Sequence, residues 1–167
     1  MAENRITEQK KKGFLMQKSD GTTKAVGYID IRVFVHATEN QAKVETATKK
    51  MFPQPLVESL VFEKTTLTGH HSNPIILLTA KLTDRKLLPQ ALTKLGAELS
   101  ALDKEQLNQD IKLHLEKGNL YLRFDKQAAY LGSPKISQND PIHLKIHFRD
   151  KTTQEIVELA KQSGLLP

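Results

Sequence analysis

Cysteine is absent from this 167-residue chain. Disulfides, thiol catalysis and cysteine-based zinc sites are thereby excluded, and the absence fits a reducing cytoplasm. Long apolar runs are missing too, with nothing approaching the roughly 20 residues that a membrane-crossing helix needs. The opening Met-Ala-Glu-Asn-Arg-Ile-Thr has no apolar core behind its charges, so it does not read as a secretory signal. The short signatures of hydrolytic chemistry are also lacking. There is no Gly-x-Ser-x-Gly elbow, no phosphate loop ending in Gly-Lys-Ser/Thr and no His-Glu-x-x-His. The expectation is a protein that is not an enzyme, with no catalytic residue, no metal and no cofactor.

What is present suits one folded domain. A hydrophobic fraction of 38% is enough to fill a single core. The net charge of +6 and a pI near 9.4 make polyanions the first partner class to consider. That charge is unevenly placed. Residues 1–24 hold six Lys/Arg against three Asp/Glu, and the remainder holds nineteen against sixteen. With Lys10-Lys11-Lys12 and the turn-forming Ser19-Asp20-Gly21, residues 1–24 read as a flexible basic tail. Residues 25–167 read as the domain.

The clearest pattern lies at Pro141–Arg149. Ile142, Leu144, Ile146 and Phe148 alternate with His143, Lys145, His147 and Arg149, as in a strand with one buried and one wet face. Val26 to Ala37 repeats the theme, with Ile29, Ile31, Val33 and Val35 against Tyr28, Asp30, Arg32, Phe34 and His36. So does Asn119 to Phe124, with Tyr121 and Arg123 on the wet side.

Between these strands the punctuation is legible. Thr38 with Gln41 has the form of a helix cap and its capping-box partner, and Val44, Ala47 and Met51 supply that helix's stripe. Lys49 and Lys50 suit its C-terminus, and Pro53 and Pro55 end it. Leu60–Thr68 and Ile75–Thr83 read as a hairpin around Gly69-His70-His71-Ser72-Asn73-Pro74, with the second strand central in its sheet. Leu88, Leu92, Leu95 and Leu99 mark a helix over 88–100, with Pro89 in its first turn. Asp103 with Gln106, and Leu102 stapled to Leu107, predict a further helix whose stripe is Leu107, Ile111 and Leu115. Gly118 stands where it would close that helix. Thr152 with Glu155 opens a last helix that stops at Gly164. The predicted order is β-α-β-β-α-α-β-β-α. It describes an α+β fold of two layers, a mostly antiparallel sheet with helices packed on one face.

The uncovered face of that sheet would carry Tyr28, Arg32, Phe34, His36, Tyr121, Arg123, His143, Lys145, His147 and Arg149. Cations attract a phosphate backbone and aromatic rings offer stacking platforms for unpaired bases, as on the sheet surfaces of single-strand RNA readers. A merely solvated face is the plainer account of the same residues. Metal binding fits less well. His143 and His147 are about 13 Å apart along a strand, and the adjacent His70 and His71 diverge in a turn. Asp30 beside His36 and Arg32 reads as a carboxylate that neutralises neighbouring cations, and a nuclease is the weakest reading.

Leu122-Arg123-Phe124-Asp125-Lys126-Gln127-Ala128-Ala129-Tyr130-Leu131-Gly132, followed by Asp140-Pro141-Ile142, resembles the signature of an archaeal RNA-binding family that is predicted to be exosome-associated. Gly69-His70-His71-Ser72-Asn73-Pro74-Ile75 is similar to a second stretch of that family, in which glycine is common where Ser72 stands. The resemblance covers Tyr28 to Phe148 and leaves residues 1–24 outside. It implies a fold like that of the large-subunit ribosomal protein that binds the small ribosomal RNA at the central protuberance. It also implies a non-catalytic RNA binder in RNA processing or degradation, or in ribosome-related work, with exosome or ribosome proteins as partners. The family supplies no active site to carry over. On the residues themselves, Arg123 points outward and Phe124 inward, and Asp125 caps a short helical turn. Lys126 and Gln127 lie at the sheet's edge. The candidate RNA-binding set is Tyr28, Arg32, His36, His70, His71, Asn73, Tyr121, Arg123, Lys126, His143, Lys145, His147 and Arg149. The alternative is a protein–protein interaction module of an RNA-processing complex.

Overall fold

A computed structural model describes residues 25–167; the segment expected to be a basic tail, 1–24, lies outside the described residues. The elements run β1 (Val26–Val35), α1 (Gln41–Lys50), α2 (Gln54–Val57), β2 (Glu63–Thr68), β3 (Pro74–Leu82) and α3 (Leu88–Glu98). There follow α4 (Ala101–Gln109), β4 (Leu115–Glu116), β5 (Asn119–Phe124), α5 (Lys126–Tyr130), β6 (Ile142–Phe148) and α6 (Thr153–Ser163). A short 3-10 turn stands at Ile111–His114, and His70–Ser72 form a tight turn with two left-handed residues. The strands form one sheet in the order β2-β3-β1-β6-β5-β4, and every pairing is antiparallel. The α+β architecture is as expected. β3 is an inner strand but lies next to β2 at the edge, and β1 and β6 hold the middle.

Alternation in β1 and β6 decides what the sheet buries. Ile29 lies opposite Leu82 and Ile146, and Ile31 opposite Ala80 and Leu144; all are buried. Leu120, Leu122 and Phe124 continue this face on β5. The helices close over it. Val44 and Ala47 of α1, Leu88, Leu92 and Leu95 of α3, and Ile156 and Ala160 of α6 belong to the same core. Fully burying a leucine or phenylalanine contributes about 1.5–3 kcal/mol, so this one-sided core fixes which face stays open. Near the start of β1 the ladder slips between Val26 and Tyr28. That bulge lets Val26 turn inward although it shares Tyr28's parity. Gly27 sits at the slip, where a Cβ would come within 3.0 Å of Arg149 Cγ and 3.1 Å of His147 Cδ2.

Several boundaries differ from the sequence reading. The cap of α1 is Asn40, which accepts from Lys43 N at 3.2 Å, because Glu39 beside Thr38 turns back to accept from His36 N. Pro53 and Pro55 end α1 by starting the one-turn α2. The strand expected from Leu60 begins only at Glu63. Ser100, not Asp103, caps α4 by accepting from Asp103 N, and Leu102 is 79% exposed rather than stapled to Leu107. The helix expected to run on to Gly118 stops at Gln109, and Leu115 pairs with Leu120 in a hairpin. Lys117 (φ 49°) and Gly118 (φ 79°) form its turn. Two successive left-handed residues are what a tight two-residue hairpin needs, so the glycine serves a turn and not a helix end. The caps at Thr152 and Gly164 and the short helix opened by Asp125 stand as read.

Gly96 marks the tightest helix contact. A Cβ there would lie 2.5 Å from Ser163 O and 2.7 Å from the Gly164 carbonyl carbon, both backbone atoms of the α6 terminus. Gly96→Ala is therefore expected to lower the unfolding free energy by about 1–3 kcal/mol, read as a reduced urea midpoint. An unchanged midpoint would mean that α3 and α6 separate at no cost.

Candidate nucleic-acid interface

The register that buries one face orders the other into rows. Arg123 of β5 lies opposite His143 of β6, which lies opposite Arg32 of β1. The next row reads Tyr121, Lys145, Asp30 and Lys81, across β5, β6, β1 and β3. A third reads Glu116, Asn119, His147 and Tyr28, beginning on β4. Directly opposed side chains in such a ladder have Cβ atoms about 5 Å apart, so each row is a line of neighbouring groups. Asp30, Arg32, Tyr121, Arg123, His143 and Lys145 line a depression of about 410 Å³. Tyr121 and Arg123 also wall a second cavity of about 540 Å³, completed by Asp110, Leu113, His114, Glu116 and Gln138.

Much of the face is already engaged. The Tyr28 ring stacks on His147 with centroids 4.7 Å apart and planes 18° from parallel. The Lys81 ammonium lies 4.1 Å from the centroid of the Tyr28 ring, and that of Lys145 lies 5.8 Å away. His147 Nδ1 is 2.8 Å from Asn119 Oδ1, and Arg32 sits 5.2 Å over Phe34. Lys81 also faces Asp30 at 3.9 Å. Arg123 Nη1 donates to Gln138 Oε1 at 2.7 Å but its side chain remains exposed. Tyr121, half-buried, carries no stacked ring or cation among the described residues. Tyr28 and Phe34, the other tyrosine and phenylalanine rings on this face, each have a stacked or cationic partner.

Other candidates stand apart from the depression. The Lys126 ammonium points inward, donating to Phe34 O at 2.6 Å, Glu39 Oε2 at 3.0 Å and Asp140 Oδ2 at 2.8 Å. His36 Nε2 joins the same knot, 3.0 Å from Asp140 Oδ1. Burial opposes the charged form of Asp140, but hydrogen bonds and charge from Lys126 and His36 outweigh it and hold the carboxyl below its ordinary value. His36, Glu39 and Asp140 bring three ligand atoms within 4.8 Å of one another, the one such group among the described residues. The Lys126 ammonium stands between both carboxylates, so the chain itself supplies the positive charge that a metal would bring. His70, His71 and Asn73 sit exposed at the tip of the β2–β3 hairpin. Left-handed His71 (φ 59°) and Ser72 (φ 61°) turn that tip, and Gly69 N donates to Asn73 O at 2.8 Å. Arg149 lies past the end of β6, in a separate cavity of about 380 Å³ shared with Lys117, His147 and Lys151.

Sequence reasoning missed Lys81, which completes the second row, and Glu116, which opens the third. The signal for Lys81 was the alternation of Leu78, Ala80 and Leu82 with Leu77, Thr79 and Lys81. Glu116 carried none, because its segment reads as helix.

His143 has the strongest electrostatic signature in the depression. Burial, then the flanking Arg123 and Arg32 guanidiniums, push its pKa below the ordinary histidine value against a smaller opposing effect from Asp140. The unfolded chain then binds the proton more readily than the folded one. Stability contributed by neutral His143 is complete above the unfolded value and falls as pH drops through that value towards the folded one. His143→Gln is expected to flatten the stability–pH curve as pH falls through the ordinary histidine value of about 6.5. An identical slope in the variant would remove His143 as its source.

The comparisons with known proteins bear on the same region. The family model that matches is described as RNA binding and covers residues 28–148. An RNA-binding protein of Pyrococcus abyssi is 36% identical over 121 residues, which is 71% of this chain and 79% of that protein. A DUF54 protein of Methanothermobacter thermautotrophicus, of known structure, superposes with a TM-score of 0.65 at 27% identity, covering 86% of this chain and 99% of that one. A structure from Sulfolobus solfataricus does so with a TM-score of 0.65 at 27% identity, covering 82% and 97%.

Proposed function

The chain belongs to this RNA-binding family, and from that premise we propose that it binds single-stranded RNA on the open face of its sheet, by contact and not by catalysis. The observation that carries the reading is the row Arg123–His143–Arg32 in a depression walled by Tyr121 and Lys145. Two permanent guanidiniums on either side of a histidine suit a backbone phosphate. An unstacked tyrosine beside them suits a splayed base. A duplex presents no free base faces to that ring, which favours the single strand. The family resemblance supports placing this binding in cytoplasmic RNA processing, with the exosome or beside the ribosome. His70, His71, Asn73 and Arg149 lie outside the depression and extend the reading to contacts along a longer strand.

A second reading, an interaction module for a protein partner, is favoured by one observation. All six residues of β2 are exposed, and it is one of the two outermost strands of the sheet, an edge that another chain's strand can extend. Co-purification from extract with and without nuclease separates the two, since a protein held at β2 stays after RNA is digested.

Binding of short single-stranded RNA, followed by fluorescence anisotropy, is expected to weaken steeply with salt. Replacing both Arg32 and Arg123 by alanine is expected to cost at least about tenfold in affinity. It is also expected to reduce the log–log salt slope by about 1.4, roughly 0.7 for each phosphate that is no longer neutralised. Both side chains are exposed, so the thermal midpoint is expected to hold. Unaltered affinity in that variant would remove the sheet face as the site.

A further inference from the structure

We propose that the cavity beside the basic depression is a nucleobase slot selective for guanine. The inference rests on the RNA-binding reading of the adjoining face and deepens it. The two cavities share Tyr121 and Arg123 but differ in charge. The depression has Arg32, Arg123, His143 and Lys145 against one carboxylate, Asp30. Its neighbour has Asp110 and Glu116, with the Gln138 amide and a single permanent cation, the shared Arg123. Two carboxylates repel phosphate and accept from the N–H groups of a base. A strand crossing the shared wall therefore keeps its phosphate on the arginine side and turns its base outward.

The walls suit a flat ring. Tyr121 stands on one side, and Leu113, at 86% exposed, is the most exposed large apolar side chain among the described residues. A stacked base would cover Leu113. The polar groups then choose among bases. Guanine is the only base whose Watson–Crick edge places two donors, N1–H and the N2 amine, side by side, which matches both oxygens of one carboxylate. Adenine and cytosine offer an amine next to an acceptor, and uracil a single imide N–H. Glu116 is the carboxylate for this contact. Its side chain has no hydrogen bond or ion pair among the described residues, and its ladder partner Asn119 faces the same side as His147. Asp110 is already engaged through Oδ2, which accepts from Gln106 at 2.6 Å. The Arg123 guanidinium has five N–H donors and spends one on Gln138 Oε1, so it can donate to guanine O6 while still facing the phosphate. The slot reads an edge that pairing would hide, so it admits single strands only.

The test uses uridine pentamers with a central guanosine, inosine or adenosine, titrated against the full chain at fixed salt. The guanosine strand is expected to bind about tenfold tighter than the inosine strand, which lacks the N2 amine. In Glu116→Gln that advantage is expected to disappear with the thermal midpoint unchanged. Oligouridine serves as reference, and its affinity is expected not to fall, since a negative charge has been removed. If oligouridine binds but guanosine and inosine bind alike, or if the guanosine advantage survives in Glu116→Gln, the slot is overturned and RNA binding by the sheet face stands. If no strand binds in a salt-dependent way, both readings fall.

Discussion

The pairing of β1 with β6 is the constraint from which the rest follows. From Ile29 to Val35 and from Ile142 to Phe148 the burial alternates without a break, so the register decides the face of every side chain there. A slip of one residue would send Ile29, Ile31, Leu144 and Ile146 to water and Arg32 and His143 into the core. Burying those aliphatics against α1, α3 and α6 is what keeps the cations on the outside. The basic face is thus a product of core packing, with no separate means of placing it. The bulge at Gly27 makes the one exception useful. It buries Val26 while leaving Tyr28 outward, and it leaves space over the glycine for Arg149 and His147.

A second device holds the strand ends. Lys126 lies in the signature turn, yet its ammonium bonds to the end of β1, to the entry of α1 through Glu39, and to the lead of β6 through Asp140. Its side chain is 11% exposed. A charge so little hydrated is tolerable only when fully paired, and this one meets two carboxylates and a carbonyl. The signature therefore reads first as a clamp that fixes where β6 begins. His143 is three residues past Asp140, so the clamp also helps hold the Arg123–His143–Arg32 row in place.

How much of this was legible depended on the range of the interaction. β5, β6 and the caps at Thr152 and Asp125 rest on neighbours a few residues away, and the sequence pattern located them. Where two local devices competed, tertiary contacts chose. Ser100 and Asp103 can each cap α4, and Ser100 prevailed while Asp103 turned its carboxylate to Ile136 N. Leu107, Ile111 and Leu115 do repeat at helical spacing, but Leu115 is held by Leu120 across the Lys117–Gly118 turn. The Lys126 knot was invisible because two of its three partners lie 87 and 92 residues away in the chain. The open face was legible as a list of residues. Its division into rows and two cavities was not, since that needs the register between strands.

The mixed sign of the face bears on what it can hold. Residues 25–167 carry nineteen Lys/Arg against sixteen Asp/Glu, so this is no uniform polycation. Asp30 stands between Lys145 and Lys81, and Glu116 closes the row that begins at Tyr28. A duplex presents a continuous line of phosphates, and each carboxylate beneath that line would cost affinity. A single strand alternates charge with neutral rings and can place each over its complement. On the proposed single-strand reading, the carboxylates in the face weaken non-specific polyanion binding and leave sites for base edges. That balance is what a reader of unpaired bases requires, because selectivity depends on the difference between ligands more than on attraction to all of them.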